Sequence, residues 1–319
     1  MEMSMGVCVV GIDLGATKTA LGLVDSEGNI IARHRMPTNA RDGPEVVADR
    51  IADYFQKLAR EVPMGQRLAA AGVCSPGPLD HETGVILDPP NLTGWRNVPL
   101  REMLQMRLDV PVVLEHDAKA AAVGEFYYGA GRGEQSLVYI VVGTGIGGGI
   151  ILDGQIYRGM HNSAGEMGHI TIDRQGEVCS CGSRGCVETY AGGPWLARRY
   201  QRALERADAA HRLRAEEPIT GELVARLAGQ GDPLARRIMT EAGSALGAAI
   251  ASVAMILDVE LFVLGGSVAK SGDLILEPAR RAVPRYSFQS VASHVRIVVS
   301  ELGDDGPILG CSWLARRMV

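Results

Sequence analysis

Apolar residues along this chain form short runs that predict buried strands, and the same plan of strands occurs twice. The first run, Val7–Ile12, is followed by predicted strands at Ala20–Val24 and Ile30–Met36, with a polar turn between each pair. The second set of predicted strands repeats this order: Leu137–Val142, Ile150–Leu152 and Gln155–Tyr157. In both sets a turn containing Gly and Thr joins the first two strands, so the sequence predicts two related domains.

Between and after these strands, apolar residues recur at helical spacing and predict several helices. Val47, Ile51 and Leu58 recur at helical spacing and predict a helix over Pro44–Arg60, while Pro233–Met255 predicts a longer helix. The small residues in the second half of the longer helix predict close packing against another helix or a sheet. Strands that alternate with helices are typical of an α/β protein.

The composition is that of a globular chain long enough for two domains. Of its 319 residues, 46% are hydrophobic and 22% are charged, and the formal net charge is −5. No basic run exceeds a pair of arginines, which disfavours nucleic acid and anionic membranes as partners. No stretch approaches the roughly 18 consecutive apolar residues of a membrane span. Because cysteines are few outside one cluster, we expect a reducing, cytoplasmic environment.

That cluster is the strongest chemical signal in the sequence. Three of the six cysteines, Cys179, Cys181 and Cys186, lie close together, and His169 precedes them at a distance that one loop can close. Three thiolates and one imidazole form a Cys₃His set, which is a closed tetrahedral zinc shell. Three cysteines cannot all pair as internal disulfides. The alternatives are a redox pair, or small buried thiols in a Gly-rich turn.

The turn after the first strand offers groups that suit phosphate oxygens. Gly15, Thr17 and Lys18 supply backbone N–H groups, a hydroxyl and an ammonium group. Asp13 in the same place would repel a phosphate unless a cation lay between them, which suggests Mg²⁺. The alternative is a plain hairpin with a polar turn.

The turn of the second set, Gly143–Gly149, matches the glycine spacing of a dinucleotide-binding fingerprint. That fingerprint requires a helix directly after the glycines, whereas Asp153 and Gly154 here predict a hairpin turn between two strands. We therefore interpret Gly143, Thr144 and Gly145 as a second phosphate-binding turn. A third glycine loop, Gly265–Gly266, follows a predicted strand and could admit a flat adenine ring, or it could be a simple turn.

Two polar residues lie at the ends of predicted elements where chemistry is common. Asp117 lies where a strand meets a helix N-terminus, whose dipole favours an ionised carboxylate that can act as a general base. The alternative is a simple N-cap. Asn91 lies in a Pro-rich loop and offers both a donor and an acceptor, as a pair of sugar hydroxyls requires. It could equally be a surface Asn in a turn.

These motifs together resemble the ROK family of sugar kinases, and within it the bacterial glucokinase-like members. The resemblance extends nearly from end to end and rests on five segments: Gly11–Lys18, Pro90–Trp95, Val142–Gly149, Gly165–His169 and Cys179–Glu188. It implies an α/β protein with a duplicated actin/hexokinase-like, ribonuclease H-like two-domain fold and an interdomain cleft. The small N-terminal lobe would comprise residues 1–117 with a C-terminal helix at about 305–319. Residues 118–304 would form the larger lobe.

The resemblance also implies a role for each matched residue. Asp117 would be the general base that takes the proton from the sugar 6-hydroxyl. The substrate-binding residues would be Asn91, His116, Asp117, Glu166, His169 and Glu188. The residues at Mg²⁺ and ATP would be Asp13, Gly15, Thr17, Lys18, Gly143, Thr144, Gly145, Gly265 and Gly266. A structural zinc ion would be bound by His169, Cys179, Cys181 and Cys186.

The implied activity is ATP-dependent phosphorylation of a hexose, with glucose converted to glucose 6-phosphate as the first expectation. The family usually has Asn at the positions of His116 and Lys119, so sugar selectivity stays open among N-acetylmannosamine, fructose, mannose and allose. Polyphosphate could replace ATP. A sugar-sensing regulator without catalysis is the alternative from another functional class. The expected partners are a hexose, ATP and further copies of the chain in a homodimer or homotetramer.

Overall fold

A computed structural model describes residues 6–206 and 218–319 and contains alternating strands and helices. The strands are β1 Gly6–Leu14, β2 Lys18–Val24, β3 Ile30–Pro37, β4 Gln66–Ser75, β5 Leu79–Asp80, β6 Val85–Ile86, β7 Val112–His116, β8 Leu137–Val142, β9 Ile146–Leu152, β10 Gln155–Tyr157, β11 Leu261–Gly265 and β12 Arg296–Val299. The α-helices, renumbered in chain order, are α1 Pro44–Ala59, α2 Leu100–Leu108, α3 Asp117–Tyr128, α4 Glu188–Ala191, α5 Gly193–Glu205, α6 Gly221–Gly229, α7 Pro233–Leu257, α8 Asp273–Tyr286, α9 Gln289–Ala292 and α10 Gly306–Arg316.

Two mixed sheets of five strands share one plan. The first has the order β3-β2-β1-β4-β7, in which β1 and β2 are antiparallel and β1, β4 and β7 are parallel. The second has the order β10-β9-β8-β11-β12, in which β8 and β9 are antiparallel and β8, β11 and β12 are parallel. This duplication confirms the predicted α/β architecture.

The chain divides into two compact units. Unit 1 contains Met1–Gly133, Gln155–Ala164 and Asp304–Val319, and unit 2 contains Glu134–Gly154 and Gly165–Gly303. In unit 1, apolar residues of the first sheet form one core with α1 and α2, and α10 packs against α3, β1 and β4. In unit 2, α7 packs along α8. Each unit therefore has its own hydrophobic interior.

The predicted close packing of the small-residue helix is confirmed. A Cβ on Gly247 of α7 would lie 2.3 Å from the Ala279 carbonyl oxygen of α8, so the two backbones touch there. By length and composition, α7 could cross a membrane. However, 56% of its most apolar 18-residue stretch is buried within the protein, as in the core helix of a globular domain.

Apolar periodicity predicts a helix over Leu274–Val283, and the observed α8 is slightly longer, Asp273–Tyr286, with both Pro278 and Pro284 inside it. Packing of its buried face offsets the hydrogen bonds that the prolines remove. The predicted charged loop at 207–217 lies outside the described residues.

Candidate functional site

The turn between β1 and β2 is fixed by its own backbone and by the end of β3. Gly15 N donates to Lys18 O at 3.0 Å, and Thr38 donates its hydroxyl to Gly15 O at 2.6 Å. The side chains of Thr17 and Lys18 are exposed, and the Lys18 ammonium lies 3.0 Å from Asp304 Oδ2. The turn is thus a rigid backbone loop with a hydroxyl and an ion-paired lysine at its surface.

Asp13 ends β1 beside this turn in an environment that disfavours its negative charge. Burial, with the Asp117 carboxylate second, raises the pKa of Asp13 to about 6, while Lys18 acts in the opposite direction. The Cys74 thiol donates to Asp13 Oδ1 at 3.8 Å. A buried carboxylate that is repelled by a second, partly exposed carboxylate is suited to a hard divalent cation such as Mg²⁺. Asp13 therefore fits the role of a metal anchor.

Asp117 is the first residue of α3, directly after β7. Its Oδ1 accepts from Ala118 N at 2.6 Å and lies 3.1 Å from His116 Nδ1, while the side chain is 39% exposed. Since Oδ2 has no hydrogen-bond partner within residues 6–206 and 218–319, one carboxylate oxygen is available to take a proton.

Charged residues on both sides of Asp117 hold the segment Gln155–Ala164 in place within unit 1. Arg158 donates to Glu115 at 2.8 Å, and that glutamate side chain is 1% exposed. Lys119, 2% exposed, donates to the backbone and side-chain oxygens of Asn162. The side chain of Lys119 is therefore a buried structural contact, despite its place two residues after Asp117.

The cysteine cluster in unit 2 has the dimensions of a zinc site. The ligand atoms of His169, Cys179, Cys181 and Cys186 all lie within 4.8 Å of one another. Cys179 Sγ lies 3.7 Å from His169 Nδ1, and the sulfurs of Cys181 and Cys186 are also 3.7 Å apart. A tetrahedron with Zn–S bonds of about 2.3 Å has edges of about 3.8 Å. Two of the ligand pairs therefore have the separation of a tetrahedral zinc shell, and the donor set is one that binds zinc.

The electrostatics of this cluster also call for a cation. Burial, followed by the neighbouring thiols of Cys181 and Cys179, raises the pKa of Cys186 to about 12. Three adjacent thiols cannot all ionise without a positive charge among them, and a metal ion supplies it. The chemistry of the donors and their spacing therefore agree.

Glu188 joins this cluster to the glycine turn between β8 and β9. Its Oε2 accepts from Ile146 N at 2.9 Å, and its Oε1 accepts from the Cys179 thiol at 3.9 Å. A Cβ on Gly145 would lie 2.8 Å from Glu188 Oε2, so a glycine is required there for the carboxylate to approach. Glu188 therefore connects the glycine turn to the cysteine loop, the segment Cys179–Cys186, within unit 2.

A cavity of about 340 Å³ opens beside this turn in unit 2. Gly143 and Thr144 line it, together with Ser267 and Val268 after β11. The first turns of α5 and α6 also face it, through residues that include Gly193, Pro194, Thr220 and Gly221. Both helix N-termini turn a favourable dipole toward the cavity. In α5, however, Gly193 N already donates to Gly143 O at 2.7 Å and Pro194 has no N–H group. The cavity therefore suits a phosphorylated ligand.

The structure brings some predicted site residues together within a unit and leaves others apart. The Asp117 charge raises the pKa of Asp13. Glu188 accepts from Cys179 of the cysteine cluster and from Ile146 N beside the glycine turn. Gly265 and Gly266 immediately precede the cavity-lining Ser267, whereas Asn91 and Glu166 are exposed on loops. Sequence reasoning missed Gly193, Pro194 and Thr220. A Gly-Gly-Pro helix start and a Thr N-cap before α6 were the available signals.

Comparison with known proteins places the chain in a family. The model of the ROK family matches residues 9–318. A glucokinase of Streptomyces coelicolor is 36% identical over 318 residues, which is 97% of each chain. A ROK family glucokinase from Streptomyces griseus, solved with glucose and AMPPNP, is 34% identical, covers 97% of this chain and 99% of its own, and superposes with a TM-score of 0.79.

Regulators are also similar to this chain. A xylose repressor of Caldicellulosiruptor bescii is 30% identical over 306 residues, which is 95% of this chain and 76% of the repressor. Kinases and repressors thus share the matched region, and the family is shown by all three kinds of similarity. The chain belongs to the ROK family.

Proposed function

We propose that this chain is a hexokinase-type phosphotransferase that moves the γ-phosphoryl group of ATP to a hexose, with glucose as the first candidate. The observation that carries this proposal is the pair of carboxylates in unit 1. Asp117 has one oxygen open at a helix N-terminus, and the buried carboxyl group of Asp13 lies close enough for the Asp117 charge to raise its pKa. The full-length similarity to glucokinases supports it.

In this proposal Asp117 is the general base for the sugar 6-hydroxyl. The other sugar contacts are proposed for Asn91, His116, Glu166, His169 and Glu188. His169 can serve two partners, because its Nδ1 faces the cysteines and its Nε2 is then left for another group. The proposed zinc has four protein ligands and no open position, so its role is structural.

The donor side is proposed to use the two glycine turns and Asp13. Residues proposed for ATP and Mg²⁺ are Asp13, Gly15, Thr17, Lys18, Gly143, Thr144, Gly145, Gly265 and Gly266. The cavity lined by Gly143 and Thr144 supports a donor with phosphates. To reach a phosphate, the Lys18 ammonium would exchange its Asp304 partner for the ligand.

Phosphoryl transfer depends more on positioning and charge than on covalent chemistry. Asp117 would accept the proton as the sugar oxygen attacks the γ-phosphorus and ADP leaves. Mg²⁺, when bound, neutralises charge on the phosphate oxygens. Asp13 would hold that ion, and the N–H groups of the turns would stabilise the charge on the phosphates.

The experiment that tests this function measures ADP release against a panel of hexoses with ATP. We expect hexose-dependent ADP release and a kcat at least ~10²-fold lower for Asp117→Asn, the low end for a lost general base. Asp109→Asn is the matched control, because Asp109 has the left-handed backbone that Asn tolerates. Near-native kcat in Asp117→Asn would show that another group is the base.

The second candidate is a sugar-binding regulator, which the similarity to xylose repressors favours. Binding of glucose without any ADP release would support it. The same panel separates glucose from N-acetylmannosamine, fructose, mannose and allose, and polyphosphate from ATP. We further propose a cytoplasmic location and a homodimer or homotetramer, to be measured by fractionation and light scattering.

A further inference from the structure

A second cavity in unit 2, of about 400 Å³, carries an excess of positive charge. We name it the arginine cleft, and its charged lining residues are Arg199, Arg202, Arg206, Arg237, Glu177 and Glu241. The arginines come from α5, the residue after it, and the first turns of α7. The floor is apolar, since Leu234 and the buried Ile238 complete the lining.

Each carboxylate in the arginine cleft is shared between two guanidinium groups. Glu177 lies 2.7 Å from Arg202 and 4.0 Å from Arg198, which flanks the cleft. Glu241 lies 3.4 Å from Arg199 and 3.8 Å from Arg237. Neither carboxylate can neutralise both of its partners.

Arg206 adds a further charge at the end of α5. Within residues 6–206 and 218–319 no carboxylate lies within ion-pair distance of it. Among the described residues, four lining arginines therefore face two lining glutamates, in a chain whose formal net charge is −5. Like charges gathered over an apolar floor repel each other, and an anion between them would relieve that repulsion.

Guanidinium groups bind phosphate oxygens through paired, charge-assisted hydrogen bonds. We propose that the arginine cleft binds a compact polyvalent phosphate anion. This site is separate from the cavity that Gly143 and Thr144 line, which we name the donor cavity. The two cavities share no lining residue, although α5 contributes to both. Pro194 lines the donor cavity and Arg202 lines the arginine cleft. At a rise of 1.5 Å per residue, these two residues are about 12 Å apart along α5.

The proposed anion would also act on the cysteine loop. It would compete with Glu177 for Arg202, and Glu177 lies two residues before the zinc-ligand candidate Cys179. Binding itself does not depend on the proposed kinase activity, because no residue of the cleft belongs to the proposed catalytic or donor site.

The test is calorimetric titration of the full chain with inorganic tripolyphosphate while saturating ATP analogue and Mg²⁺ fill the donor cavity. We expect one saturable site with a dissociation constant below roughly 1 mM. The double variant Arg202→Gln/Arg206→Gln should weaken binding at least tenfold. Arg281→Gln/Arg285→Gln, an equal charge change on exposed positions of α8, should leave it unchanged.

Two outcomes would overturn the proposal. Loss of binding when the ATP analogue is added would place the anion in the donor cavity and overturn the proposal. Equal weakening in both double variants would show general attraction to positive charge and would also overturn it. Pyrophosphate and a sugar bisphosphate titrated in parallel distinguish an inorganic ligand from a phosphorylated metabolite. An unchanged thermal midpoint in both double variants would show that they are folded. Because this control requires no kinase activity, it separates failure here from failure of the proposed function.

Discussion

Asp13→Asn should stabilise this protein while it weakens the proposed activity. The pKa of Asp13 rises from its ordinary 3.8 to about 6, chiefly because its carboxyl group is buried and second because Asp117 repels it. A raised pKa in the folded state means that folding favours the protonated form. The contribution of Asp13 to stability is therefore greatest below pH 3.8 and is lost as the pH rises through about 6.

The size of this effect follows from the two pKa values. Their difference of about two pH units corresponds to about 3 kcal/mol of unfolding free energy, which the ionised carboxylate costs the native state above pH 6. Asn has nearly the same shape and cannot ionise. In metal-free buffer, Asp13→Asn should raise the free energy of unfolding by up to about 3 kcal/mol at pH 8 and by only about 1 kcal/mol at pH 4.5.

Urea denaturation in EDTA at both pH values measures the difference directly. Asp53→Asn, an exposed acid on α1, is the matched control and should change stability little at either pH. Added Mg²⁺ should stabilise the native chain more than the variant, since the variant lacks the anionic oxygen that would hold the ion. An equal gain at both pH values, or a loss at pH 8, would refute an electrostatic origin.

Two other substitutions test the rest of the site. Cys181→Ser should lower the thermal midpoint, release zinc and raise the sugar KM together; a zinc-free variant with native sugar KM would separate the metal from the sugar site. Lys119→Met removes a buried ammonium whose acceptors belong to Asn162. It should cost about 1–3 kcal/mol in urea denaturation, because buried acceptors lose their donor. Unchanged stability would mean that water replaces the amine.

Local patterns in the sequence were sufficient for the repeated hairpins and for the zinc donors. A run of β-branched residues followed by a glycine turn specifies a strand and its end, and both sheets contain the predicted hairpins. The predicted second turn, Gly143–Gly149, was too long, because β9 begins at Ile146, four residues before the predicted strand Ile150–Leu152. His169 and the three cysteines lie close along the chain, so a short loop brings them together whatever the remainder does. The resemblance to the ROK family rested on the same short segments.

Contacts between distant segments were decided only by the tertiary structure. Nothing near Lys119 in the sequence indicates that Asn162 will accept from it, and the polarity of Lys119 alone suggests an exposed side chain. The effect of Asp117 on the pKa of Asp13, and the meeting of Glu177 with Arg202, likewise depend on which elements pack together. Periodicity specifies the type of an element and its buried face. Burial and charge at a point in space depend on the neighbours that long-range packing supplies.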